Sequence, residues 1–232
     1  MRLHLRALCW LASVGHFAPL AACVAGITLS GPALAKKPKH DYVLAQGYAS
    51  TTPVAQAKVQ RVLVNPFGEV DGFLLDGNVL VTFPAHMAAE LIAVAKIGEL
   101  VAVHGIRSAS GQIKGLVIRN LATNQVVTEH PPAFTDRKMP KHLRAIGLKE
   151  LSAQGRIVAL RHGKKGEVNG VVLEDGTSVR FAKEALWTAA PLLQIGQGIA
   201  VSGYGTETTH GRGIEATALG KQGETLQPIY RK

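Results

Sequence analysis

Apolar and polar residues alternate in two stretches of this chain that resemble each other. In GEVDGFLLDGNVLVTF (68–83), one alternating segment ends at Asp76-Gly77, and the next places Val79, Val81 and Phe83 on one face. An Asp-Gly pair between alternating segments is a strong local signal for a β-hairpin. The stretch GEVNGVVLEDGTSVRF (166–181) has the same pattern. Each stretch therefore predicts two antiparallel strands joined by a tight turn.

The two stretches belong to a longer internal repeat with an offset of 98 residues. Ile97 returns as Ile195 and Gly115 returns as Gly213, and these anchor residues align without a gap. Self-similarity at a fixed spacing indicates a duplicated structural unit. The sequence therefore predicts two copies of one fold, at residues 55–121 and 152–221.

Hydrophobic periodicity predicts the same elements in each copy. In the first copy these are a strand from Ala57 to Val64, strands Glu69–Leu75 and Val79–Phe83, a helix over Pro84–Lys96, and strands Glu99–Ile106 and Ile113–Leu121. In the second they are Arg156–Arg161, Glu167–Leu173, a strand through Val179 and Phe181, a helix over Ala185–Leu193, Gly198–Tyr204 and Gly213–Leu219. Pro191 is expected to shorten or kink the second helix.

Three strands, a helix and two further strands follow each other in the order of the OB-fold. Gly72, inside the second strand, fits a bend where such a barrel turns its corner. The predicted fold is therefore mainly β: two tandem OB-fold-like five-stranded barrels, each with a helix between strands three and four.

The segment GEVDGFLLDGNVLVTFPAH, followed by a helix and IGELVAVHG, resembles bacterial exported proteins known as OB-fold nucleic-acid-binding-domain proteins. The resemblance covers both copies and is carried by glycines, Asp-Gly turns and apolar alternation. It implies the barrel. The nucleic-acid label comes with the fold, and a fold does not fix a function.

The first 35 residues have the pattern of a secretory signal peptide. Arg2 and Arg6 precede the apolar run Phe17–Leu29, and Ala33-Leu34-Ala35 is a small-x-small cleavage site. We therefore expect an exported, periplasmic protein with no transmembrane span in its mature part. A second interpretation is a lipoprotein anchored through Cys23, because Leu20-Ala21-Ala22-Cys23 resembles a lipobox.

Composition narrows the chemistry of the mature protein. Both cysteines, Cys9 and Cys23, lie in the leader, so the mature chain would have no disulfide and no thiolate site. The whole chain has a formal net charge of +10, and loss of Arg2 and Arg6 leaves +8. Such an excess favours polyanionic partners, either nucleic acid or an anionic glycan, and is also common on exported proteins with no such partner.

Three segments lie outside the predicted barrels. Residues 36–54 are expected to be a flexible lead-in, and residues 222–232 a C-terminal tail. Residues 122–151 are expected to be an ordered linker, with a basic run and a short helix near Leu143–Leu151.

OB-folds bind ligands on strands two and three and on two neighbouring loops, and in the second copy these positions are rich in cations. The predicted polyanion-binding residues are therefore Arg161, His162, Lys164, Lys165, Arg180, Tyr204 and Arg212. Phe67 and Tyr204 are the expected stacking platforms, because Phe83 and Phe181 have the parity of core residues. Trp187 is expected to pack against its barrel. The first copy has no cation in the loop around Phe67 and is expected to be a scaffold or a different ligand site.

The sequence contains no motif for catalysis. Its histidines lack paired metal-ligand spacing, and no nucleophile–base pattern is present, so we predict no enzyme activity, no metal and no cofactor. The first functional hypothesis is an exported binding protein for nucleic acid or another polyanion, acting through the second barrel. The alternative is a periplasmic scaffold or stress module that binds a small ligand, a cation or an envelope protein partner.

Overall fold

The computed structural model describes Gly47 and residues 51–133 and 140–230. The predicted signal peptide, Cys23 and most of the predicted lead-in lie outside these residues. The elements of the first copy are β1 (Ala55–Val64), β2 (Val70–Leu75), β3 (Val79–Thr82), a 3₁₀ turn at Ala85–Met87, α1 (Ala88–Val94), β4 (Leu100–Arg107), β5 (Ile113–Asn120) and β6 (Val126–Thr128).

The second copy repeats this order after a short connecting helix. Its elements are α2 (Lys141–Arg144) with a 3₁₀ turn at Ala145–Gly147, β7 (Lys149–His162), β8 (Val168–Leu173), β9 (Ser178–Arg180), a 3₁₀ turn at Lys183–Ala185, α3 (Leu186–Ala189), a 3₁₀ turn at Ala190–Leu192, β10 (Gly198–Thr208), β11 (Gly211–Lys221) and β12 (Gln227–Pro228). Pro191 lies in the last of these turns, and α3 has four residues where α1 has seven.

Each set of five strands closes into a barrel of OB-fold topology. In the first sheet the strands run β3-β2-β1-β4-β5, and a parallel pairing of β3 with β5 closes the ring. In the second the order is β10-β7-β8-β9-β11, and pairing of β10 with β11 closes it. This confirms the predicted fold: a mainly β chain with two such barrels and a helical segment between the third and fourth strand of each.

The inward-facing residues form one core in each barrel. The first core includes Val59, Phe73, Leu75, Val81 and Phe83. Their equivalents 98 residues later are Ile157, Val171, Leu173, Val179 and Phe181, which belong to the second core. Burial of each large apolar side chain contributes about 1.5–3 kcal/mol. The alternation seen in the sequence is therefore the pattern that fills the two barrels.

The constant offset of 98 residues is wrong for the last barrel strand. It holds between the first two strands, where Val62 pairs with Phe73 and Leu160 with Val171. Across the parallel pair of the third and fifth strands, however, Val81 lies opposite Ile113 and Val179 lies opposite Ile214, an offset of 101. The β10–β11 hairpin is longer than β4–β5 and has a tighter turn, so it shifts the register by three residues. Gly213 is consequently the counterpart of Gln112 and not of Gly115.

The segments expected to be linker and tail each contribute a strand. β6 pairs with β5, and β12 pairs with β11, in equivalent places at the edge of each sheet. Val127 and Ile229 from these segments are buried in the first and second cores. The second copy also begins earlier than expected, because β7 starts at Lys149. In the described part of the chain, no helix has the length and apolar character needed to cross a bilayer.

The two barrels pack against each other through the outer faces of their first three strands. Leu63, Leu74 and Leu80 of the first barrel form one buried apolar cluster with Ala159 and Val172 of the second. These are the faces that OB-folds ordinarily offer to ligands. The packing of the barrels therefore moves any ligand site to the edges of their shared interface.

Candidate functional site

A cleft of about 1060 Å³ opens at one edge of the interface between the barrels. Gln112 marks the junction of its two sides: its Oε1 accepts from the His162 N–H at 2.9 Å, and its Nε2 donates to the His162 carbonyl at 3.4 Å. The first barrel lines the cleft with the end of β3 and the β4–β5 loop. The second lines it with the β7–β8 turn, Arg180 and the segment that carries α3.

Positively charged side chains from both barrels line this cleft. They are Lys114 of the first barrel and Lys164, Lys165, Arg180 and Lys183 of the second, in addition to the buried Arg161. Lys164, Lys165 and Lys183 are exposed, whereas Lys114 and Arg180 are half-buried. Three separate segments of the second barrel thus direct cations into a space that they share with the first.

Backbone hydrogen bonds fix the conformation of the β7–β8 turn, which carries Lys164 and Lys165. The Gly163 N–H donates to the Glu167 carbonyl at 2.8 Å, and the Gly166 N–H donates to the Gly163 carbonyl at 3.0 Å. Gly166 has φ +82°, a conformation that glycine adopts without steric cost. The Glu167 carboxylate accepts from the Lys165 N–H at 3.0 Å. The carboxylate of Glu167 therefore bonds to the backbone of the turn, and the side chains of the two lysines extend into solvent.

A charged cluster forms the floor of the cleft and joins the barrels. Arg161 of β7 donates to Asp71 of β2 at 2.8 Å and to the Ser178 hydroxyl at 3.1 Å, and Arg180 also donates to Asp71. Burial lowers the pKa of Arg161, the attraction of Asp71 opposes this, and the nearby Arg180 adds to the lowering. The carboxylate of the first barrel thus holds two guanidinium groups of the second.

The position of Arg161 differs from the one expected for a ligand-binding loop residue. Its side chain is 6% exposed and lies at the end of β7, in the barrel interface. The reason is the packing of the barrels, which covers the outward face of β7 and leaves Asp71 as the partner of Arg161. Arg161 therefore supports the floor of the cleft from below.

Four of the other predicted residues line the cleft and two do not. His162, Lys164, Lys165 and Arg180 come together there. The His162 Nδ1 is buried and makes no hydrogen bond within the described residues. Tyr204 and Arg212 lie on β10 and β11, outside the residues that line the cleft, and Arg212 pairs with Glu207 at 2.9 Å.

The expectation that Trp187 packs against its barrel is wrong. Trp187 lies on α3 with 91% of its surface exposed and lines the cleft, as do Leu186 and Lys183. The buried side of this segment is formed instead by Ala185 and Ala189. Helical periodicity could have found this, since Ala185 and Ala189 are four residues apart and Trp187 lies between them.

A second cleft of about 700 Å³ is the repeat-related counterpart of the first. Its lining includes Asn65, Pro66, Phe67, Glu69 and Ala85, which are the counterparts of Gly163, Lys164, Lys165, Glu167 and Lys183. The connecting segment covers it, because Arg144 stacks on Phe67 at 3.9 Å from the ring centre and pairs with Glu69 at 2.8 Å. Phe67, one of the two predicted stacking platforms, is therefore beneath an arginine of the same chain.

A histidine cluster lies on the first barrel, formed by residues that line neither cleft. His130 approaches Glu90 at 2.9 Å, and the ring of His86 meets the ring of His130 edge-on. His86 Nε2 lies 2.8 Å from the His130 carbonyl. These contacts attach the segment after β6 to α1. Among the described residues, no group of three or more His, Cys, Asp or Glu side chains is arranged to hold a metal ion.

The solved structures similar to this chain include two of one protein. A deletion variant of the single-stranded DNA binding protein from Thermus aquaticus is 16% identical, covers 75% of this chain and 94% of its own, and has a TM-score of 0.24. The wild-type protein is 14% identical, covers 78% and 98%, and has a TM-score of 0.23. No family model and no curated protein matches the chain. The OB-fold topology of each barrel is shown by its strand order and pairing.

Proposed function

We propose that this chain is a non-enzymatic binding protein that takes polyanions, nucleic acid first among them, into the cleft between its barrels. The observation that supports this most is the convergence of Lys164, Lys165, Lys183 and Arg180 on one open space. Lys114 lines the same space and pairs with Glu129 at 3.8 Å. The sequence hypothesis assigned binding to the second barrel alone. The proposed site uses both barrels and does not include Tyr204 or Arg212.

The charge balance inside the cleft supports a polyanion over a cationic ligand. Two acids line it, Asp71 and Glu167. Asp71 is held by two arginines, and Glu167 accepts from the backbone of its own turn. Phosphate groups bind lysine and arginine side chains with release of condensed counterions, which makes such binding strongly dependent on salt.

Charge reversal on the β7–β8 turn tests the proposal. We expect Lys164→Glu/Lys165→Glu to weaken binding of a labelled single-stranded oligonucleotide and of inorganic polyphosphate, measured by anisotropy and by competition. The slope of log K against log salt for the oligonucleotide should become less steep by about 1.4, because each lost phosphate contact contributes about 0.7 to its magnitude.

A matched variant separates local binding from net charge. Lys58→Glu/Lys96→Glu changes the total charge equally at two exposed lysines that do not line the cleft. We expect it to bind nearly as the wild type does. Equal weakening by the two double variants, or no binding by the wild type at low salt, would contradict the proposal.

A second candidate function is the binding of a small ligand or a partner protein in the periplasm. The apolar part of the cleft favours it, since Ile106 and Leu186 line the space together with the cations. Mixed apolar and polar walls are typical of small-molecule sites. A thermal-shift screen of oligonucleotides, oligosaccharides and metal ions distinguishes the two functions, because a polyanion site predicts stabilisation by the first class that disappears at high salt.

Export to the periplasm is also part of the proposal. It depends on residues 1–35, through cleavage after Ala35 or lipid attachment at Cys23. The mass of the protein recovered from the cell envelope distinguishes these two routes, since only the lipoprotein retains Cys23.

A further inference from the structure

Trp187 is the most exposed large apolar side chain in the part of the chain that the structure describes. Tryptophan buries more apolar surface than most side chains, and it is usually highly buried. Here the indole lies in water at the wall of the cleft, one helical turn after Lys183. The fold does not use this side chain for packing, which leaves it available to a ligand.

The aromatic residues that the structure describes in the first barrel are not available for stacking. Phe73 and Phe83 are buried and stack on each other with ring centres 6.0 Å apart. Phe67 lies beneath Arg144. Among the described residues, the exposed aromatic ring at the cleft is therefore that of Trp187, and half-exposed Tyr204 lies outside the residues that line it.

We infer that Trp187 is a stacking platform for an unpaired base, and that the ligand of the cleft is single-stranded nucleic acid. This inference rests on the proposed binding of polyanions. Lysines at the β7–β8 turn and Lys183 would hold the phosphates, while the indole would hold a base. A polyanion without bases presents phosphates or sulfates to the lysines, but it has no planar ring that could stack on the indole. A duplex keeps its bases stacked inside and does not present them to Trp187. Base stacking on aromatic side chains is tolerant of sequence, so little preference among bases is expected.

The test compares ligands with and without bases on the full chain. The probes are a single-stranded oligonucleotide of about 12 nucleotides, an abasic oligonucleotide of the same length, and inorganic polyphosphate, with the duplex as a fourth probe. We expect Trp187→Ala to weaken binding of the oligonucleotide about 5- to 150-fold and to leave binding of the abasic strand and polyphosphate unchanged. Trp187→Phe, which keeps a flat ring, should restore most of the lost affinity.

Two controls accompany these variants. Tyr204→Ala removes an exposed aromatic ring outside the cleft and should leave all affinities unchanged. Tryptophan fluorescence is measured as the oligonucleotide binds. The chain has two tryptophans, Trp10 and Trp187, so fluorescence quenching that is lost in Trp187→Phe reports the contact of Trp187 with a base. The unfolding midpoint of Trp187→Ala should match that of the wild type, because the side chain is exposed.

The outcomes separate this inference from the proposed function. If the abasic strand binds as tightly as the oligonucleotide, or Trp187→Ala weakens both equally, base stacking is excluded while binding of polyanions stands. Tighter binding of the duplex than of the single strand would also overturn the inference. If none of the probes binds at low salt, the proposed function fails, and the inference fails with it.

Discussion

The two barrels have separate cores built from equivalent residues, and they differ at the edges of their interface. Around the open cleft, Lys164, Lys165, Lys183 and Trp187 of the second barrel occupy the positions of Pro66, Phe67, Ala85 and Ala89 in the first. The residues that fill the core of each barrel are apolar in both copies. One fold thus supports two unlike surfaces, because the side chains that face outward are free to differ.

The interface itself is built from unlike residues at equivalent positions. Arg161 and Ser178 of the second barrel correspond to Leu63 and Leu80 of the first, and Asp71 corresponds to Asn169. The first barrel therefore supplies the three leucines of the apolar cluster and the acid, and the second supplies the guanidinium groups. A buried charge needs its partner from the other copy, which makes the pairing of barrels asymmetric.

The largest expected effect comes from removal of that acid. Asp71→Asn places the residue of the second copy in the first and leaves Arg161 buried without a counter-charge. We expect a loss of about 3–5 kcal/mol in the free energy of unfolding, measured by urea titration, because a buried charge without its partner is strongly unfavourable.

The double variant Asp71→Asn/Arg161→Leu tests the cause. It removes the buried charge together with its partner and uses the residue found at Leu63. We expect it to be more stable than Asp71→Asn alone. A loss below about 1 kcal/mol for Asp71→Asn, as for an exposed ion pair, or a double variant less stable than the single, would contradict this account.

A smaller effect is expected where the two junctions between the barrels differ. At one, Gln112 bonds to the backbone of His162. At the other its counterpart is Gly213, where a Cβ atom would collide with the Asn65 carbonyl oxygen. Gly213→Ala should therefore cost about 1–3 kcal/mol through overpacking, again measured by urea titration. Gly147→Ala is the control, since its Cβ would meet no neighbour within 4 Å. If Gly213→Ala is as stable as Gly147→Ala, the backbone around Asn65 moves to accommodate the added Cβ atom, and the expected overpacking is wrong.

The smallest effect is expected at the second cleft. Arg144→Ala removes the guanidinium from Phe67 and from Glu69, contacts that contribute about 1 kcal/mol together. We expect a loss of that size in unfolding free energy and faster hydrogen exchange in the β1–β2 turn, measured by mass spectrometry. Arg156→Ala, at an exposed ion pair with Glu174, is the control. Unchanged exchange at the turn would show that the connecting segment does not cover it.

Alternation and Asp-Gly turns predicted the strands and hairpins because both are local signals. The internal repeat predicted that the same unit occurs twice. The register shift in β11 escaped prediction, because the matching glycines 115 and 213 align in sequence while the longer hairpin changes their strand partners. Lys164 and Lys165 were predictable as an exposed turn. The burial of Arg161 was not, because it depends on Asp71, 90 positions earlier in the chain.

The exposure of Trp187 illustrates a different limit. A bulky aromatic residue beside a barrel is ordinarily buried, because its large apolar surface favours burial. In this segment the small side chains Ala185 and Ala189 fill the space against the barrel. The face that a short helical turn buries is set by its neighbours and not by its most hydrophobic residue.

The added strands β6 and β12 have a consequence for how far the chain can be trimmed. Val127 and Ile229 are buried in the two cores although they lie beyond the fifth strand of each barrel. A protein cut back to its ten barrel strands would lose both of these core side chains. We therefore expect a stable truncated chain to extend through Ile229.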